Sequence, residues 1–196
     1  MLNIENLSFS YDQKPVFTGL NLTLSPGERI ALMGPSGCGK STLLQLIAGL
    51  LSAKEGTLQK GYSKLSYVFQ EPRLFPWLTV KQNLEAVLTS KEDATERIAE
   101  ALRLVRLSDS ADLYPEELSG GMKIRASLAR ALVNQGDLFL LDEPFASLDL
   151  ELREEISIAL RKELGRRGSS AILVTHHLED AKRFADRIVL FDDLKK

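Results

Sequence analysis

A glycine-rich run in the first quarter of the chain has the residue types and spacing of a phosphate-binding loop, G-x-x-x-x-G-K-[ST]. Glycine allows the left-handed backbone angles of a tight turn, and the amide N–H groups of such a turn point inward at an anion. The helix that follows adds the positive end of its dipole. We therefore expect a nucleotide phosphate to be held by Gly34, Pro35, Ser36, Gly37, Cys38, Gly39, Lys40, Ser41 and Thr42.

Two side chains of this run and two acids far along the chain have the chemistry to act on that phosphate. Lys40 supplies a point charge for the β- and γ-phosphates, and the Ser41 hydroxyl is suited to ligate Mg²⁺. Asp142 and Glu143 end the apolar run 138–141, where their desolvation is costly unless a cation or a reaction uses them. We expect Asp142 to hold Mg²⁺ through water and Glu143 to polarise or deprotonate the attacking water. The alternative is a pair of acids that caps the next helix.

A second anion site is indicated before a helix in the middle of the chain. Ser119, Gly120 and Gly121 have the residue types of a helix N-terminus that binds an anion, although an ordinary helix cap is favoured when this segment is taken alone.

The cysteine and histidine content offers less chemistry. Cys38 is the one cysteine of the chain, so an internal disulfide is excluded, and a small filler of the loop is favoured over a redox switch. His176 and His177 are not expected to share a metal, because neighbouring side chains of an extended segment point to opposite sides.

The elements that must position these residues alternate between strand and helix. Short apolar runs predict strands at Arg29–Met33, 56–58, 65–69, 138–141, 171–175 and 187–191. Helical spacing joins Leu43 to Ile47 and Leu50, Ile98 to Val105, Ile124 to Leu132, and Leu152 to Leu164 with Gly165 or Gly168 as its end, and a short last helix reaches about Ala185.

This order of elements predicts an α/β fold of the P-loop NTPase type, a parallel sheet with helices on both faces. Alternating apolar and polar residues within 2–24 predict an N-terminal antiparallel β subdomain. Helical spacing between strand-rich parts predicts an inserted helical subdomain at about 76–128. The chain, 1–196, is then one domain whose nucleotide-binding core is about 1–75 and 129–196.

Composition excludes several classes of protein. The net charge of −2 gives no support for nucleic acid binding, which usually shows a basic excess. The N-terminus lacks the basic-then-apolar pattern of a signal peptide. No apolar stretch approaches the roughly 20 residues that span a bilayer, so a membrane role is expected only through a partner.

The chain resembles the ATP-binding subunits of ABC transporters, because the phosphate loop, Leu-Ser-Gly-Gly and Asp-Glu-Pro follow one another in that family's order. Gln70 resembles the glutamine that ligates Mg²⁺ and senses the γ-phosphate. His176 is similar to the switch histidine that contacts the γ-phosphate, and Tyr11 to the aromatic residue that stacks on adenine. Asp149 lies in a segment similar to the loop that crosses to the partner subunit.

The resemblance implies an ATPase that uses ATP and Mg²⁺ and works as a homodimer. Each phosphate loop would face Ser119, Gly120, Gly121 and Asp149 of the second subunit. It also implies integral membrane permease subunits, a solute-binding protein that acts indirectly, and a cytoplasmic position on the inner face of the membrane. Phe75 and Trp77, in a loop unusually rich in aromatic residues, are then favoured as a docking site over simple packing. The segment 69–80 looks most like importers of nitrate, sulfonates or taurine.

Two residues depart from the family pattern, and other functions stay open. His177 replaces a common aspartate, and Met122 replaces a common glutamine whose contact with the partner's nucleotide is therefore in doubt. A soluble ABC ATPase of DNA or translation, a nucleotide-gated module without turnover, and a small-molecule kinase are the alternatives. The kinase leaves the segment 118–122 unexplained.

Overall fold

Two sheets and six helices are present in the described residues, which are 2–12, 14–88 and 92–195 of this computed structural model. In chain order the strands are β1 (Leu2–Tyr11), β2 (Lys14–Leu24), β3 (Arg29–Met33), β4 (Glu55–Lys60), β5 (Leu65–Val68), β6 (Leu138–Asp142), β7 (Ser170–Val174) and β8 (Arg187–Leu190). The helices are α1 (Lys40–Ala48), α2 (Val80–Glu85), α3 (Ala94–Leu104), α4 (Gly120–Asn134), α5 (Leu150–Arg167) and α6 (Leu178–Phe184). The predicted limits at 1 and 196, and residues 89–91 of the predicted insertion, lie outside the described residues.

The first sheet is antiparallel, in the order β2-β1-β4, which confirms the predicted N-terminal β subdomain. Its inward residues alternate along both long strands apart from one extra residue in each, where the register shifts: Leu2, Ile4, Leu7 and Phe9 of β1, and Phe17, Leu20, Leu22 and Leu24 of β2. These side chains pack with those of α1 against one face of the second sheet.

The second sheet is wholly parallel, in the order β5-β6-β7-β3-β8. All five residues of β6 are buried, as expected for a strand covered on both faces. Alternate residues of β3 separate the two faces: Ile30 and Leu32 pack with α1, whereas Ala31 packs with the cluster that holds α4, α5 and α6. The predicted α/β fold with helices on both faces is therefore confirmed.

The helical insertion is built from α2, α3 and α4, which contact one another. Ile98, Leu102 and Val105 are buried in the core that this group shares with the parallel sheet. A buried amide, Asn83, organises the segment that leads into α2. Its Oδ1 accepts from the N–H of Phe75 at 2.8 Å, and its Nδ2 donates to the carbonyls of Phe75, Leu78 and Thr79 at 3.0–3.1 Å.

Several predicted boundaries are wrong by one to a few residues. Leu50 lies beyond the end of α1 and is exposed, so it does not continue that helix's apolar face. Phe69 falls outside β5, which ends at Val68. Phe191 falls outside β8, because it begins a short 3₁₀ turn. Gly168, at φ +67, ends α5, whereas Gly165 lies within it. A Cβ at Gly165 would lie 2.9 Å from Nη1 of Arg29, which crosses the helix there to pair with Asp186.

Candidate active site

Four neighbouring parallel strands bring the predicted motifs to one edge of the sheet. The phosphate loop (residues 34–42) follows β3, Gln70 follows β5, Asp142 ends β6, and His176 follows β7. The carboxyl ends of parallel strands meet at the same edge, where open α/β sheets bind ligands. Gln70 and Glu143 line one cleft together with Ser36, Gly37, Gly39, Lys40, Ser41 and Thr42.

The phosphate loop rests on the antiparallel sheet and on the end of β8. Gly39, at φ +112, is the N-cap of α1, and a Cβ there would lie 2.8 Å from Val16 Cγ1 and 3.0 Å from Phe17 Cδ1. Phe191 lies below, 3.2 Å from the same position and edge to face with Phe17. Both the backbone angle and the space therefore require glycine. Sequence patterns did not identify Val16 or Phe191 as supports of the loop, because nothing local marks a long-range contact.

Lys40 is buried and folds back over the loop. Its ammonium donates to the carbonyls of Gly34 at 2.8 Å and Pro35 at 2.7 Å. The half-buried Cys38 has its sulfur 3.7 Å from the same nitrogen. A positive charge held at the mouth of a loop of backbone amides is the arrangement that binds phosphate oxygens.

Ser41 and Asp142 form the candidate Mg²⁺ site. The Ser41 hydroxyl donates to Asp142 Oδ1 at 3.0 Å, although the two residues are 101 positions apart in the sequence. Asp142 is 3% exposed, and burial raises the pKa of its carboxyl, with Glu143 adding to the shift and Ser41 and Lys40 opposing it. A buried carboxylate beside a hydroxyl fits Mg²⁺, which takes one or two protein oxygens and completes its shell with water and phosphate.

Glu143, which lines the cleft, has His176 beside it. Glu143 adopts φ +49, a left-handed angle that costs a residue with a Cβ about 1 kcal/mol. Its N–H still donates to the carbonyl of Val174 at 3.0 Å, so the residue after β6 remains hydrogen-bonded to the end of β7. His176 Nδ1 lies 3.5 Å from Glu143 Oε2. Backbone strain of this kind clusters at functional sites, where the surrounding structure maintains it.

The two histidines do not point apart, so the argument made from the sequence is wrong at this place. Their ring centroids are 4.0 Å apart. The alternation of a strand ends with Val174, and the N–H of His177 donates to Thr175 Oγ1 at 3.1 Å in the turn that follows. Within the described residues, no group of three or more His, Cys, Asp and Glu side chains is arranged to hold a metal ion.

A stack of side chains supports the loop that carries Gln70. The rings of Tyr67 and Phe69 stack at 3.9 Å, and the Arg73 guanidinium lies 4.0 Å from the centroid of Phe69. The Tyr67 hydroxyl is buried with no hydrogen-bond partner among the described residues, and burial together with the charge of Asp142 raises its pKa. Tyr67 was not identified from the sequence, where it fits an ordinary strand.

The remaining predicted residues are not among the described residues that line this cleft. Ser119 is the N-cap of α4, and its hydroxyl accepts from the N–H of Met122 at 3.2 Å. Gly120 is exposed at the same corner, and Asp149 is the exposed N-cap of α5, accepting from Leu152 N–H at 3.0 Å. Tyr11, at the exposed end of β1, contacts Phe9 edge to face at 4.9 Å. The nucleotide roles of these residues stay predictions.

Comparison with known proteins assigns the family. A family model described as ABC transporter matches residues 17–146. The aliphatic sulfonates import ATP-binding protein SsuB of Bacillus subtilis is 40% identical over 183 residues, which cover 89% of this chain and 72% of that protein. The spermidine/putrescine import ATP-binding protein PotA of Hahella chejuensis is 40% identical over 204 residues, which cover 97% of this chain but only 56% of that protein.

Solved structures agree with this assignment. A dimeric bacterial ABC transporter cassette matches with a TM-score of 0.89 at 30% identity, covering 97% of this chain and 94% of that one. A post-hydrolysis dimer of the same cassette, bound to ADP and Pi, matches with a TM-score of 0.88, also at 30% identity, over 100% and 96% of the two chains.

The chain therefore belongs to the ABC transporter family. Its fold is that of the ATP-binding cassette, and it is an ATPase that binds ATP with Mg²⁺. Among the described residues, no helix combines the length and the apolar character needed to cross a membrane.

Proposed function

We propose that this chain is the ATP-hydrolysing subunit of an importer and that ATP closes two copies of it head to tail. The observation that carries the proposal is an unequal division of the site. Lys40, Ser41, Gln70 and Glu143 line one cleft, whereas Ser119 and its glycines are not among the described residues that line it. A second copy is the natural source of the missing half.

Each residue of the cleft has a defined task in this proposal. The Lys40 ammonium exchanges the carbonyls of Gly34 and Pro35 for β- and γ-phosphate oxygens. Ser41 and Asp142 hold Mg²⁺, which supplies charge compensation to those oxygens when bound. The Glu143 carboxylate accepts a proton from the attacking water, and His176, beside it, donates toward the γ-phosphate. Gln70 approaches from the side of β5.

Residues from the second copy complete the charge balance. The N-terminus of α4 presents Ser119 and the N–H groups of Gly120 and Gly121 at the surface, with the positive end of the helix dipole behind them. Across an interface, these donors stabilise the γ-phosphate charge as an arginine finger does in other phosphoryl transfers. Asp149 of the same copy lies at the start of α5 and reaches the interface with them. Hydrolysis removes the bridging charge, so the open form regains its population.

A preformed aromatic surface supports docking to a membrane permease. Trp77 is 70% exposed and Phe75 41% exposed, with ring centroids 5.7 Å apart. Asn83 fixes the backbone beneath them through its four hydrogen bonds. Large exposed aromatic side chains on an ordered loop are more typical of an interface than of core packing. We propose that a helix of the permease binds here, seven residues after Gln70, so that docking and the nucleotide are linked through one segment.

We propose the cargo and the location of the subunit by analogy with its relatives. Several relatives are named for aliphatic sulfonates, and others for spermidine and putrescine. The proposed cargo is nitrate or a sulfonate, with taurine as the zwitterionic aminosulfonate case, delivered by a solute-binding protein. The subunit then works at the cytoplasmic face of the membrane without spanning it.

The proposal is tested by rebuilding the transporter in lipid vesicles. This chain is purified with the permease and the solute-binding protein that we expect its neighbouring genes to encode, and ATP-dependent uptake of radiolabelled taurine, alkanesulfonate, nitrate and putrescine is measured. We expect sulfonate uptake, and loss of permease co-purification for Trp77→Ala. Ile158→Ala removes another exposed apolar side chain, on α5, and serves as the matched control. Uptake of putrescine alone would overturn the cargo, and ATP hydrolysis without any permease association would overturn the transport role.

A further inference from the structure

A buried ion pair joins α5 to α6 outside the catalytic cleft. Asp180, in the first turn of α6, is 2% exposed. Nη1 of Arg153, in the first turn of α5, lies 3.8 Å from its Oδ2, and the Arg153 side chain is 14% exposed. A carboxylate on the apolar side of a helix costs free energy unless it is paired, so its presence beside Ala181 and Phe184 needs a reason.

Arg153 holds the backbone of the turn that leads into Asp149. Its Nη2 lies 3.3 Å from the carbonyl oxygen of Leu148 and 3.5 Å from that of Ala146. The same turn packs against the start of α4: a Cβ on Gly121 would lie 3.1 Å from the carbonyl oxygen of Ser147. The guanidinium therefore contacts the turn that leads into Asp149, and that turn packs against the serine–glycine corner; the proposed function offers both surfaces to a second subunit.

Asp180 is tied to the loop that carries the histidines. His177 is the N-cap of α6, so Asp180 lies three residues after the cap of its own helix. The basic groups that face the carboxylate are Arg153, Arg183, His177 and His176. Burial raises the pKa of Asp180, and these four groups oppose that shift, Arg153 most strongly. The His176 loop therefore leads directly into the helix that carries Asp180, and both histidines act on its carboxylate.

The contacts of this cluster are long and incomplete. Arg183 Nη1 lies 3.9 Å from Asp180 Oδ1, while its Nη2 pairs with Glu154 at 3.0 Å. Arg153 Nε and Arg183 Nη1 are buried and have no hydrogen-bond partner among the described residues. A buried donor without a partner costs about 1–3 kcal/mol. An arrangement in which the guanidinium groups close on the carboxylate would give these donors a partner and is therefore favourable.

We propose that Arg153 and Asp180 are positioning residues that couple the two nucleotide sites of the ATP-bound dimer. The inference rests on the proposed head-to-tail dimer, in which each copy gives His176 and Glu143 to one site and Ser119 and Asp149 to the other. Within one copy, the Arg153–Asp180 pair connects these two sets. When ATP orders the His176 loop, the pair shortens and holds the Asp149 turn in the position that the second site requires.

The test measures ATP hydrolysis by the full-length chain against ATP concentration, for wild type, Asp180→Asn, Arg153→Met and the double variant. The wild type should approach a Hill coefficient of about 2, the limit for two sites. Each variant should fall to about 1 with its monomeric ATP affinity unchanged. The double variant should be no worse than the singles, because they remove the same contact.

Two further variants separate coupling from simple stability. Glu155 is on α5, two residues after Arg153, and forms a surface ion pair with Arg106. Glu155→Gln removes this pair and should keep the wild-type Hill coefficient. Arg153→Lys keeps the charge but loses the planar fork that spans carboxylate and carbonyls, so an intermediate coefficient is expected. It also decides the matter if Asp180→Asn does not fold.

Three outcomes are decisive. Unchanged cooperativity in Asp180→Asn and Arg153→Lys, with or without a lower melting temperature, would overturn the coupling role. A wild type that hydrolyses ATP with a Hill coefficient of one would do the same, since no coupling would exist to transmit. A wild type that closes no dimer with ATP would instead contradict the proposed function itself.

Discussion

The helices α1 and α4 both begin with glycine-rich segments that suit an anion, yet their surroundings differ. At α1, no side chain among the described residues caps the N-terminus, and the positions of Lys40, Ser41 and Asp142 are fixed by residues of the same chain. At α4, the Ser119 side chain caps its own helix, and the corner lies at the surface. The N-terminus of α1 therefore has the arrangement expected of an anion site, whereas the N-terminus of α4 is a capped surface for which we propose a role only against a second copy.

The largest effect is expected at the α1 site, from removing the carboxylate that is proposed to accept the proton of the attacking water. Glu143→Gln should lower phosphate release by roughly 10²–10⁴-fold, because the carboxylate that takes the proton is lost while the loop that binds ATP remains. Phosphate release and light scattering with ATP and Mg²⁺ measure this, and an ATP-bound dimer should accumulate. A Glu143→Gln protein that stays monomeric with ATP, or that turns over normally, would contradict the assignment. Glu5→Gln, on the exposed face of β1, is the control.

A smaller loss is expected from removing the charge at the mouth of the loop. Lys40→Ala should weaken ATP binding by about 10–100-fold, since a hydrogen bond to a charged group contributes about 1.5–3 kcal/mol. Calorimetric titration with ATP measures the dissociation constant, and the exposed Lys54→Ala should leave it unchanged. Equal affinity in the two variants would show that Lys40 does not contact phosphate.

The proposed role of the α4 N-terminus is tested by a substitution of Ser119 that keeps the helix cap. Ser119→Asp preserves a good N-cap, so the melting temperature should hold, but it places a negative charge where the γ-phosphate of the partner's ATP is expected. We expect normal ATP binding to the monomer and ATP-driven dimerisation weakened at least about tenfold, or 1.4 kcal/mol. Ser119→Ala, which loses the cap, should instead cost about 1 kcal/mol of stability. Unimpaired dimerisation of Ser119→Asp would place the corner away from any nucleotide.

The smallest expected effect is on the stability of the fold, because the α1 site buries the Asp142 carboxylate. Because the pKa of Asp142 is raised in the folded state above its ordinary value of 3.8, its ionised form destabilises the fold at neutral pH. Asp142→Asn should therefore melt at a higher temperature than wild type at pH 7–8. The difference should shrink as the pH falls through the raised pKa and disappear below the ordinary value, where the wild-type carboxyl is protonated in both states. A lower melting temperature for Asn at pH 8 would contradict this sign.

The motifs were readable from the sequence because each one is local. The phosphate loop needs a strand, a glycine turn and a helix in immediate succession, and the structure has β3, the loop and α1 in that order. Gln70 was linked to the loop only through the family resemblance, because the order of the strands in the sheet was not predicted. The alternation within β1 and β2 likewise predicted their buried faces.

Other features were not predictable, because their causes lie far along the chain. Phe191 supports the loop through Gly39, which is distant in sequence. The left-handed angle of Glu143 and the paired rings of His176 and His177 depend on how β6 and β7 end, not on residue type. Asn83 fits an ordinary polar position of a helix, and only its four hydrogen bonds reveal its role.

The sequence by itself determined the kinds of element, the phosphate loop and the acids at a strand end, since these depend on backbone angles and burial within a few residues. The tertiary structure alone decided which side chains meet: Ser41 with Asp142, His176 with Glu143, and Arg153 with both Asp180 and the turn at 146–148. The physical reason is that strand order and helix packing result from the balance of burial over the whole domain, which no local pattern records.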